Sequence, residues 1–149
     1  MSILSTPLMV YDLRESERFM SETESAIQKR LCLTLDELAV LWTATANGGK
    51  RDKRTAASLR LQGVKKGVPD IMIFTPPPSG VGLGLAIELK RPRTDQRARG
   101  RVSEYQRIWL ERLRACGWRA EVAYGYDHAL EILMSAGYLK KENGHDQTD

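Results

Sequence analysis

The chain has 149 residues, 42% of them hydrophobic and 28% charged, which fits one domain around one core and excludes a disordered chain. The formal charge is +4, yet residues 50–101 alone hold thirteen Lys and Arg against four acids, a net +9. A basic block of that density is the footprint of a phosphate-backbone binder; on charge alone the alternative is a solvated basic face.

In chain order, residues 1–20 read as an N-terminal arm of mixed character, without the basic start and long apolar stretch of a signal peptide. From Ser21, Ile27, Leu31, Leu35 and Leu38 recur at helical spacing to about residue 39. "VLWTATAN" (40–47) alternates like a strand and ends at Gly48-Gly49. A basic stretch follows, with a short helical reading over Thr55 to Leu61. "PDIMIFT" (69–75) and "LGLAIELKR" (83–91) read as two strands joined by a proline- and glycine-rich turn. The loop to Val102 carries five arginines and one glycine with no large apolar residue, which predicts mobility. Next comes a helix from Ser103 with Tyr105, Ile108, Trp109, Leu113 and Cys116 on one face and Gly117 as its stop. "RAEVAYGY" alternates as a fourth strand, Asp127 caps a last helix, and residues 140–149 form a polar tail. The order is α-β-β-β-α-β-α, and residues 21–139 are the foldable domain. Cys32 and Cys116 form no Cys-x-x-Cys pair and read as reduced core thiols. No run approaches membrane-spanning length, and the expected location is the cytoplasm.

Chemistry enters at the two central strands. If they form an antiparallel hairpin centred on Ser79, residues whose numbers sum to 158 face each other, so Asp70 opposes Glu88. Alternation then puts Asp70, Met72 and Phe74 on one face with Ala86, Glu88 and Lys90. Two opposed carboxylates are unfavourable unless a cation lies between them. A few hard oxygen ligands suit Mg²⁺ (or Mn²⁺) better than a caged Ca²⁺, and the lack of nearby His or Cys disfavours Zn²⁺. The plain alternative is a solvated Glu88–Lys90 pair with Asp70 as a turn residue after Pro69.

"GVPDI", "IELK", "SEYQRIW" with "CGWRAEVAY", and the upstream "ESAIQKRL" together resemble the virus-type replication-repair nuclease (VRR-NUC) domain of the PD-(D/E)XK nuclease superfamily, over roughly residues 21–136. The resemblance implies an α/β class fold, an α+β mixed sheet with a restriction-endonuclease-like αβββαβ core and a C-terminal helix. It implies a divalent-metal-dependent DNA endonuclease. Asp70 and Glu88 would hold the metal together with the backbone carbonyl of Leu89, and Lys90 would serve the attacking water and the phosphate charge. Glu24 would contact the metal or its water shell, and Gln106 would face the site. Each of these last two has a rival role in a capping box, Ser21 to Glu24 and Ser103 to Gln106.

The candidate DNA contacts are Asn47, Lys50, Arg51, Lys53, Arg54, Lys65, Lys66, Arg91, Arg93, Arg97, Arg99 and Arg101. Asn47 is equally a hairpin-turn residue, and Trp109 reads as core rather than as a stacking platform. "GGKR" lacks the glycine spacing of a nucleotide-binding loop, so no nucleotide cofactor is expected. The resemblance further implies a structure-selective nuclease for branched or junction DNA in replication, recombination or repair, paired as a homodimer because two strands need two sites. The alternatives are a non-catalytic nucleic-acid-binding module with a structural acidic cluster, or a restriction-type nuclease.

Overall fold

The computed structural model describes residues 22–45 and 52–141. The N-terminal arm, Asn47, Lys50, Arg51, the Ser21 end of the first proposed capping box and all but the first two residues of the polar tail lie outside them. Among the described residues four helices and four strands follow in the order α1 (Glu24–Glu37), β1 (Trp42–Ala44), α2 (Lys53–Leu61), β2 (Ile71–Ile73), β3 (Leu85–Lys90), α3 (Glu104–Ala115), β4 (Arg119–Tyr124) and α4 (Tyr126–Ala136).

The strands form one mixed sheet in the order β1-β2-β3-β4. β1 and β2, then β2 and β3, pair antiparallel; β3 and β4 run parallel. Ile71 faces Ile87, Met72 faces Ala86 and Ile73 faces Leu85, which is the register expected from a hairpin centred on Ser79. The long turn between these strands closes on the end of α4: Ser79 N–H donates to the Ala136 carbonyl at 3.0 Å, the Tyr138 hydroxyl donates to the Thr75 carbonyl, and Pro77 is buried. The turn thus occupies one of the carbonyls that a helix leaves unpaired at its C-terminus, that of Ala136.

Strand alternation divides the core into two layers. Ile71, Ile73, Leu85, Ile87 and Leu89 point to α1 and α4, where Ile27, Leu31, Leu35, Leu130 and Leu133 complete the larger cluster. On the other face Ala86 and Ala120 meet Leu110 and Leu113 of α3, with Met72, Trp109, Trp118 and Val122 packed around them. α1 starts at Thr23, whose hydroxyl accepts from Ala26 N–H at 3.1 Å.

Three local expectations change. Glu24 is the first helical residue of α1 and not the third, because the N-cap is Thr23; a capping box needs its acid at the third helical position. Asp127 does not cap α4, which begins at Tyr126 after Gly125 with no side-chain cap. Starting the helix there buries Tyr126, whose hydroxyl lies 2.7 Å from that of Thr34 on α1. On α3 the inward line is Gln106, Leu110 and Leu113, whereas Tyr105 and Cys116 are exposed. Cys116 is therefore no core thiol, while Cys32 is half-buried against the larger cluster.

Candidate active site

The last two residues of β3's outward-alternating row lie inside the molecule. All six residues of β3 are buried, with Glu88 at 1% and Lys90 at 6% exposure. Burying charge is unfavourable unless partners surround it, and here they do. Lys90 Nζ lies 2.9 Å from Glu88 Oε1, and Gln106 Nε2 donates to the same oxygen at 2.6 Å. Glu88 Oε2 is buried and has no hydrogen-bond partner.

Gln106 resolves its two rival roles by filling both. Its Oε1 accepts from Ser103 N–H at 2.8 Å and its own N–H reaches Ser103 Oγ at 3.2 Å, a complete capping box. With the amide oxygen committed to the helix start, the NH₂ end must face Glu88.

Asp70 sits one residue before β2, opposite Glu88 by continuation of the register. Its Oδ2 accepts from Leu89 N–H at 2.7 Å, so the side chain replaces the next rung of the hairpin. β1 holds the segment from the other side: Thr45 N–H donates to the Asp70 carbonyl at 2.9 Å and Thr45 Oγ to the Pro69 carbonyl at 2.7 Å. Thr45 was not a sequence candidate; a threonine leaving a strand carries no signal of this clamp. Glu24, from the start of α1, accepts from Arg91 N–H at 3.3 Å just past β3. Gly100 lies against this contact, where a Cβ would come within 3.0 Å of Glu24 Oε1 and 3.2 Å of Lys90 Cδ.

Electrostatics follow from the burial. Desolvation pushes Glu88 up to about 7, with the Asp70 charge adding and Lys90 opposing. Asp70 is also raised, by burial first, against the Leu89 N–H bond and Lys90. Among the described residues no group of three His, Cys, Asp or Glu side chains is gathered tightly enough to cage a metal. Asp70 and Glu88 are a two-carboxylate site, with Glu24 at its exposed rim. That donor set fits Mg²⁺, which takes one or two carboxylates and keeps several waters or phosphate oxygens, and the unpartnered Glu88 Oε2 would offer it a lone pair.

Residues 22–127 match the VRR-NUC domain, a family of nuclease type. The chain belongs to the VRR-NUC family. A solved VRR_NUC domain protein shares the fold with a TM-score of 0.59 at 22% identity, over 78% of this chain and 91% of that one. No curated protein matches.

The basic residues of the VRR-NUC domain fall into two groups along the chain. Lys53 and Arg54 of α2 are exposed, as are Lys65 and Lys66. Arg93, Arg97, Arg99 and Arg101 are exposed in the loop after β3, and Arg99 lies 4.8 Å over the ring of Tyr124, the β4 neighbour of Lys90. This loop holds a built turn: Thr94 and Arg97 exchange backbone hydrogen bonds, Gly100 N–H returns to the Arg91 carbonyl, and Arg91 Nη2 reaches the Ala98 carbonyl at 3.3 Å. Among the described residues no helix is long and apolar enough to cross a membrane.

Proposed function

We propose that this VRR-NUC domain is a Mg²⁺-dependent endonuclease that hydrolyses phosphodiester bonds of DNA, selective for branched or junction structures and acting as a homodimer in replication, recombination or repair. One observation carries the reading: a buried carboxylate oxygen, Glu88 Oε2, has no protein partner beside a second carboxylate and an ammonium. A structural acidic cluster would satisfy both oxygens of Glu88 internally.

A divalent cation held by Asp70, Glu88 and the Leu89 carbonyl, with Glu24 toward its water shell, would supply Lewis acidity at the phosphoryl oxygen and acidify water. Lys90 places a positive charge beside the phosphate and stabilises the negative charge that develops as water oxygen bonds to phosphorus and the bridging P–O bond breaks. Gln106 fixes the Glu88 carboxylate so that Oε1 stays with Lys90 and Oε2 stays turned to the ligand. The exposed lysines before β2 and arginines after β3 offer positive charge to the phosphate backbone. A homodimer suits branched DNA because one site cuts one strand at a time.

A labelled four-way junction and a matched linear duplex, incubated with Mg²⁺ or EDTA and with wild type or Asp70→Asn, test this directly. Cleavage of the junction in preference to the duplex, abolished by EDTA and lowered at least about a hundredfold by Asp70→Asn, is expected. Cleavage that survives EDTA and the substitution would contradict the mechanism, and salt-sensitive binding without cleavage would favour the binding module.

A further inference from the structure

Along α3 lies an open cavity of about 480 Å³ lined by Lys65, Lys66, Tyr105, Ile108, Trp109 and Arg112. Three cations surround an aromatic and aliphatic floor. Tyr105 is 58% exposed, and Lys66 Nζ sits 5.3 Å from its centroid. The wall is held in place by Gly67, whose backbone runs against α3: at φ +85 a Cβ there would lie 2.5 Å from the Tyr105 carbonyl carbon.

Both walls are covalently continuous with the active site. Lys66 precedes Asp70 by four residues, so its backbone lies within about 14 Å of it, a span that a few nucleotides of one strand can bridge. Tyr105 adjoins Gln106, which holds Glu88.

We infer that this cavity receives an unstacked nucleobase of a single-stranded DNA segment next to the scissile phosphate, the base lying on Tyr105 and its phosphates on Lys65, Lys66 and Arg112. Flat apolar surface beside cations is the chemistry that binds single strands without reading sequence. Bases in an intact duplex are stacked on their neighbours and cannot lie on the ring. The inference rests on the proposed DNA nuclease and narrows its substrate to DNA with single-stranded character on one side of the cut.

Binding measured in EDTA separates this from the nuclease reading, because no cleavage is needed. The probe is a single-stranded oligonucleotide carrying a fluorescent purine analogue whose emission falls on stacking, with a matched duplex for comparison. Wild type is expected to quench the single strand. Tyr105→Ala should lose the quench and weaken single-strand binding roughly five- to a hundredfold while leaving duplex binding unchanged, and Tyr105→Phe should behave as wild type. Tyr105→Leu, which keeps apolar bulk without a ring, should also lose the quench, and thermal melting shows that each variant is folded. Unchanged quench and affinity in folded Tyr105→Ala and Tyr105→Leu, or an equal loss on duplex, would overturn the inference. A protein that quenches but never cleaves with Mg²⁺ would instead overturn the nuclease reading alone.

Discussion

Glu88 places a carboxylate in a strand whose every residue is buried, and its two oxygens have opposite surroundings. Oε1 lies between Lys90 and Gln106, whereas Oε2 meets no donor. Burial holds the carboxyl at about 7, above the ordinary 4.5, so the folded chain favours the proton. That stability is complete below about pH 4.5 and is lost as pH rises through about 7, up to about 3 kcal/mol. A cation reverses the preference, because it needs the ionised form and displaces the proton. The rise in melting temperature on adding Mg²⁺ should therefore be large at pH 8 and small at pH 5.5, where the proton weakens binding roughly thirtyfold. Differential scanning fluorimetry across that range checks it; a shift independent of pH, or one retained in Glu88→Gln, would count against the assignment. In the sequence, Gln106 could be read as a cap or as a site residue. That one amide does both depends on how α3 sits on the sheet, which no local pattern states.

At the scale of elements, the hairpin was legible because its turn formers fix a centre and its alternation fixes the faces, giving the observed pairing of Ile71 with Ile87. The face of α3 was not legible. Tyr105, Ile108 and Trp109 offer one apolar stripe and Leu110 with Leu113 another, and the bond from Gln106 to Glu88 turns the second inward. The proline-rich turn likewise has no meaning until the end of α4 is beside it. The end of α1 carries strain of its own: after the Leu38 cap, Ala39 adopts φ +53, a left-handed position where glycine is usual. Ala39 is exposed, so Ala39→Gly removes the Cβ conflict without opening a cavity. A gain of about 0.5–1 kcal/mol, or roughly 2–4 °C in scanning calorimetry, is expected, and a loss would show that the strain is relieved elsewhere.

For the whole molecule, the site exists only through tertiary assembly. Glu24 comes from α1, Asp70 from the entry to β2, Glu88 and Lys90 from β3 and Gln106 from α3, with Thr45 at the end of β1 clamping the Asp70 segment. Asp70, Glu88 and Lys90 were legible because one hairpin brings them together. Glu24 and Gln106 come from helices on opposite faces of the sheet and rested mainly on the family resemblance. Thr45 had no signal at all, since it acts through Pro69 and Asp70, distant in sequence. The central claim is that Asp70 and Glu88 hold a divalent cation, and it can be tested without knowing the preferred DNA. Mn²⁺ free in solution gives an electron paramagnetic resonance signal that falls when the ion is bound by protein. Titration at pH 8 should show saturable Mn²⁺ binding by wild type, competed by Mg²⁺ and lost in Asp70→Asn and Glu88→Gln; equal binding by all three proteins would contradict the site.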